Sequence, residues 1–212
     1  SAASDVYKRQ ISESKYEDIW CPTYDGQACL FDVETEKFID VLQPIELSTK
    51  QTNNVTRIYS LEKGIAWILC ENGYAFRVDE QLCKKGEGIT LYAPSNHNLK
   101  GDQIFNVYQD SEEDEWILTD KGVSIIGKKT LDTDFPFQFI TQIKETICLI
   151  AENDKLARYD FHTKKLKFVD IPYPHHKINN VTTIGKDMLA LGTDNGVILY
   201  SIPVSYTHLR AH

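Results

Sequence analysis

NNVTRIYSLEKGIAWILCENG, residues Asn53–Gly73, returns 126 residues later as NNVTTIGKDMLALGTDNG, residues Asn179–Gly196. Both stretches follow one plan: a short V-T-x-I strand, a polar gap, four or five mostly apolar residues, and a turn closed by glycine. IFNVYQDSEEDEWILTDKG, Ile104–Gly122, is a third copy. IWCPTYDG, Ile19–Gly26, is a fourth, whose first strand falls at Ile11–Ser14. ICLIAEND, Ile147–Asp154, preceded by FQFITQI, is a fifth, with Asp154 where the others have glycine.

In three copies a tryptophan stands six residues before the glycine: Trp20 and Gly26, Trp67 and Gly73, Trp116 and Gly122. Cys148 and Ala190 hold the same offset from Asp154 and Gly196. Positions 20, 67, 116, 148 and 190 are spaced by 47, 49, 32 and 42 residues, close to the period of four-stranded propeller blades.

The apolar cores of these copies, WILC, WILT, CLIA and LALGT, are too short for helices. They are bounded by ENG, DKG, END and DNG, sequences that favour positive φ and tight reversals. They do not alternate cleanly, so both faces are expected to be covered, as in a sheet stacked between two others. YAFRV, VSII, LARYDF and VILYSI read as third strands, and FIDVL, GITLYA and LKFVDI as outer fourth strands. The 32-residue spacing predicts a reduced outer strand in the third blade. No segment keeps an apolar i, i+3, i+4, i+7 stripe beyond about two turns, so no appreciable helix is expected. The expected fold is all-β: a partial β-propeller of about five four-stranded antiparallel blades, the first and last incomplete. Each blade needs a neighbour to cover it.

SAASDVYKRQ at 1–10 and the last nine residues, 204–212, do not continue the repeat and look like translated sequencing-adapter peptides, which leaves 11–203 as the propeller fragment. The 212 residues carry 42% hydrophobic and 11% aromatic side chains, a globular composition. The net charge of −8 opposes binding to phosphate backbones, so nucleic acid is not an expected partner. The five cysteines have no CxxC spacing and an odd count, which argues against a zinc site or a complete disulfide framework. Cys70 and Cys148, inside apolar runs, read as buried small hydrophobes.

NLKGDQIFNVYQDSEEDEWILTDKGVSII, Asn98–Ile126, resembles the two-component regulator propeller repeat. Asp110 matches that family's aspartate six residues before Trp116, and Thr119 matches its threonine. Trp67 occurs without the aspartate, Gly192 and Thr193 occur without the tryptophan, and Glu113 stands where the family has a turn glycine. In that family, propellers form the extracytoplasmic sensor of bacterial hybrid histidine kinases, often responding to glycans. The resemblance implies a non-catalytic, ligand-sensing fragment in the periplasm, attached to a membrane-anchored, dimeric kinase parent. Its implied partners are a small molecule or oligosaccharide, further blades and the signalling domains of the parent chain.

Several groups invite a chemical reading. His97 and Asn98 in PSNHNLKGD, and Tyr173, His175 and His176 in IPYPHHKINN, fall in loops expected beside the second-to-third-strand turns. There they would offer aromatic faces and amides to sugar hydroxyls. Adjacent histidines in a loop point apart, so no metal is assigned, and no cofactor is implied. The run SEEDE, Ser111–Glu115, lacks the glycine and spacing of a calcium loop and reads as a solvated hairpin tip. Gly86–Gly88 reads as a turn, and the tryptophans read as packing between blades. Asn54 and Asn180 each begin an Asn-Val-Thr acceptor pattern that their repeat position explains. Two other functions compete with sensing: an enzymatic propeller of the lyase or lactonase type, and a protein-interaction scaffold. The first needs inward His, Glu or Asp at equivalent strand ends, where this chain offers mostly Val, Ile, Thr and Tyr. The second lacks its Gly-His and Trp-Asp signature.

Overall fold

The computed structural model describes residues 11–23, 26–42, 54–94, 99–128, 131, 133, 136–151, 154–171 and 177–201. The proposed adapter segments, 1–10 and 204–212, lie outside the described residues.

Five antiparallel sheets follow one another along the chain, each built from strands adjacent in sequence. The first comprises β1 (Ser12–Glu13), β2 (Ile19–Pro22), β3 (Ala28–Asp32) and β4 (Lys37–Asp40). The second comprises β5 (Val55–Leu61), β6 (Ile65–Cys70), β7 (Ala75–Asp79) and β8 (Ile89–Tyr92). The third holds β9 (Ile104–Gln109), β10 (Glu115–Thr119) and β11 (Gly122–Ile125). The fourth holds β12 (Phe137–Ile143), β13 (Thr146–Ala151), β14 (Leu156–Asp160) and β15 (Lys165–Val169), and the fifth β16 (Ile178–Ile184), β17 (Met188–Thr193) and β18 (Gly196–Ser201). The outer edge of the third sheet is reduced to an isolated bridge between Val123 and Leu131, as its short spacing predicts. Among the described residues the one helical element is a 3-10 turn, Leu82–Lys85, ended by Gly86 in the left-handed region.

The sheets fall into two compact units, 1–136 with three sheets and 137–212 with two. Within each unit the second strands carry the core, and β6 is covered on both faces. On β6, Ala66, Ile68 and Cys70 join Trp20 and Leu30 of the first sheet, while Ile65, Trp67 and Leu69 join Val107 and Ile117 of the third. In the second unit, Cys148 and Ile150 of β13 pack with Leu189 and Leu191 of β17. This two-sided burial is why these strands read as apolar runs without alternation.

The repeat register holds in three dimensions. Trp20, Trp67, Trp116, Cys148 and Ala190 all lie on the second strand of their sheet, opposite Ser12, Tyr59, Tyr108, Thr141 and Thr182 of the first strand. Where the packing partners are described, the residue at this position faces the sheet that follows: Trp20 the second, Trp67 the third and Cys148 the fifth. The turns supply the expected positive φ at Gly26, Gly73, Gly122 and Gly196, and Asp154 adopts φ 62° in glycine's place. Glu113 likewise takes φ 65°.

All five cysteines are free, and Cys21 alone is more than marginally exposed. Burial pushes the thiols of Cys70, Cys83 and Cys148 up to about 12. At pH 8 these three are thiolate in roughly one molecule in ten thousand. We therefore expect iodoacetamide at that pH to modify Cys21 first and to leave the three unmodified until denaturant is added, as read by peptide mass spectrometry. Early modification of Cys148 would contradict the packing of the second unit.

Candidate functional site

Three buried indoles each donate to a carboxylate, and the acceptor comes from a different place each time. Trp116 Nε1 donates to Asp110 Oδ2 at 2.7 Å within its own hairpin. Asp110 Oδ1 meanwhile accepts the backbone N–H groups of Glu112 and Asp114, both at 2.9 Å, so the motif aspartate both caps the hairpin and anchors the indole. Trp67 lacks that aspartate and donates to Glu115 Oε2 of the third sheet at 2.6 Å. Trp20 donates to Glu80 Oε1, just past β7 of the second sheet, at 2.9 Å. A buried indole N–H without an acceptor is costly, which accounts for three routes to one arrangement.

The acidic run needs a correction here. Ser111, Glu112 and Glu113 are exposed as a hairpin tip should be, but Glu115 is 1% exposed. It is the first residue of β10, paired with Gln109, and it points at the second sheet. Arg77 meets its carboxylate with Nε at 2.9 Å and a second nitrogen at 2.7 Å, and Lys63 Nζ pairs with Oε1. Burial pushes the Glu115 carboxyl up, but the bonds from Arg77, Lys63 and Trp67 outweigh it and hold the group below its ordinary 4.5. Between the first and second sheets, Lys84 Nζ bridges Asp18 at 2.7 Å and Asp32 at 3.0 Å. These ion pairs join sheets and belong to the scaffold.

The opposite end of the sheets, where second strands turn into third strands, is where the sequence places a binding rim. There each turn touches the segment feeding the next sheet. A Cβ on Gly26 would meet Asn54, and one on Gly73 would meet the Asp102 carbonyl at 2.9 Å and Pro94 at 3.1 Å. Val55 N donates to the Gly26 carbonyl, and Ile178 N to Asp154 Oδ1 at 2.8 Å. Thr119 Oγ1 donates to the Gly122 carbonyl at 3.1 Å and Thr193 Oγ1 to that of Gly196 at 3.0 Å, so both threonines close their turns. The rim residues His97, Asn98, Tyr173, His175 and His176 lie outside the described residues.

The described part of this end contains a cleft of about 160 Å³ between the second and third sheets, lined by Thr56, Glu71, Tyr74, Gln103 and Ile104 above Leu69 and Cys70. Sequence reading missed it because its lining comes from three separate segments of ordinary residue types. Among the described residues no group of three or more His, Cys, Asp or Glu side chains is arranged to hold a metal.

No family model matches the sequence. No curated protein matches it either. Solved structures do. The extracellular domain of BT4673 from B. thetaiotaomicron, assigned to a hybrid two component system, matches with a TM-score of 0.67 at 20% identity, over 91% of this chain and 28% of that one. The extracellular domain of BT3049 from the same organism, assigned likewise, matches with a TM-score of 0.55 at 14% identity, over 91% of this chain and 33% of that one. The WD40 repeats of RRP9 match with a TM-score of 0.62 at 12% identity, over 92% and 61% of the two chains. At these identities the likeness shows the fold: the five sheets are blades of a partial β-propeller. The chain spans about a third or less of the length of the two extracellular domains.

Proposed function

We propose that this chain is part of the extracytoplasmic sensor of a two-component signalling protein. It is non-catalytic itself, and it binds a saccharide and passes that event on through the packing of its blades. What supports the reading most is the fold shared with two extracellular domains of hybrid two component systems over 91% of this chain. The motif residues add to it: Asp110 accepts the Trp116 indole N–H, and Thr119 closes the turn onto the Gly122 carbonyl. In this reading the site is in the periplasm. The parent is membrane-anchored and dimeric and carries the kinase, and no cofactor takes part.

A thermal-shift screen of the 212-residue chain against neutral glycans, and separately against divalent cations, tests the proposal. A saccharide at a hundred times its Kd is expected to raise the melting temperature by about 5–10 °C. A response to cations without any response to sugars would overturn sensing in favour of propeller enzyme chemistry. The full reading frame from the same genome gives an independent check, since a membrane span followed by a kinase is expected in it.

A further inference from the structure

We propose that the cleft between the second-to-third-strand turn of the second blade and the entry to the third blade is a subsite for a single uncharged or amino-substituted sugar ring; this rests on the sensing reading above. Its volume of about 160 Å³ is the first constraint. Pockets for drug-sized ligands measure roughly 300–1,000 Å³, so this cleft suits one ring and not an oligosaccharide.

The lining supplies what a sugar ring needs. Leu69 and Ile104, which both pack on the third-blade side of the second sheet, form an apolar floor for the C–H face of a ring. The Gln103 carboxamide, which both donates and accepts, and the Glu71 carboxylate stand at the mouth for vicinal hydroxyls. Asn54 Nδ2 already holds Glu71 Oε2 at 3.2 Å, and Thr56 Oγ1 donates to the Leu69 carbonyl at 3.2 Å, which leaves that hydroxyl an acceptor for ligand.

The walls are fixed before any ligand arrives. Gln103 N donates to Asp120 Oδ1 at 3.0 Å and its carbonyl accepts Asp120 N at 3.0 Å, which ties its backbone to the neighbouring turn. Tyr74 N donates to Asn72 Oδ1 at 3.2 Å and its carbonyl accepts Cys70 N at 2.9 Å. Preorganised walls save the ordering cost that otherwise weakens binding by small polar ligands. Charge sets the class of sugar. With Glu71 at the mouth of a chain of net charge −8, uronates are repelled, whereas neutral hexoses and hexosamines are accepted.

Saturation-transfer NMR and calorimetry with D-glucose, D-galactose, D-glucosamine and D-glucuronate decide the matter on the wild-type chain and three variants. At least one of the first three sugars binds, glucuronate binds more weakly, and Thr56→Val and Gln103→Ala each weaken the bound sugar by about tenfold. The Gln103 side chain is exposed, so Gln103→Ala reports on the cleft even if Thr56→Val disturbs folding. Glu71→Gln narrows the gap between glucosamine and glucuronate. Sugar binding that both cleft variants leave intact overturns the subsite while sensing stands. Absence of binding by all of these sugars overturns the subsite, while the glycan thermal-shift screen decides the saccharide reading separately.

Discussion

Trp67→Ala lowers the unfolding free energy of the first unit by about 3–5 kcal/mol. The indole is fully buried between the second and third blades, among Leu61, Ile65, Val107 and Ile117, with the Tyr92 ring centroid 4.9 Å away. Truncation opens a cavity there and removes one of the donors to Glu115. Trp67→Phe separates the two effects: it keeps most of the packing but loses the N–H to a charged acceptor, a loss of about 1.5–3 kcal/mol. All three tryptophans lie within 1–136, so Trp20 and Trp116 still report unfolding of that unit by fluorescence in urea. A loss under about 1 kcal/mol for Trp67→Ala would mean that the blades do not depend on this contact, and the argument from the repeat register would fail with it.

The expectation about Trp67 could be drawn before any coordinates because everything it needed was local. A glycine six residues on, an apolar run and the same pattern four more times placed the residue on a second strand with both faces covered. Its hydrogen-bond partner was not legible. Glu115 lies 48 residues ahead of Trp67 in sequence and Glu80 lies 60 ahead of Trp20, and nothing in either neighbourhood marks a carboxylate as an indole acceptor. In SEEDE the local pattern argues for a solvated tip, and only the pairing of Glu115 with Gln109 turns the last of these acids inward. The binding end divides in the same way. That turns and entry segments meet there followed from strand order, and Gly73 against Pro94 and Asp102 bears it out. That Thr56, Tyr74 and Gln103 should share a cleft depends on register between blades, which repeat spacing does not specify.

Glu115→Ala should destabilise the first unit by about 3 kcal/mol, the lower end of the range for breaking a buried ion pair. The lower end applies because the cations left behind are not sealed in: the side chains of Arg77 and Lys63 are 26% and 21% exposed and can reach water. Replacing Glu115 by Leu together with Arg77 by Met should recover part of that loss, since it removes one stranded charge while the Trp67 N–H and Lys63 still lack their acceptor. Acid provides a second, independent reading. The carboxyl is held below 4.5 in the folded chain, because the bonds from Arg77, Lys63 and Trp67 overcome the upward push of burial. A group depressed on folding contributes its full stabilisation above its unfolded value and loses it as pH falls through the folded one. The stability gap between wild type and Glu115→Gln, measured by urea unfolding, should therefore stay constant from pH 6 to 8 and shrink by pH 3. A gap that widened in acid would mean that folding raises the Glu115 carboxyl above its unfolded value, and that burial outweighs the bonds from Arg77, Lys63 and Trp67.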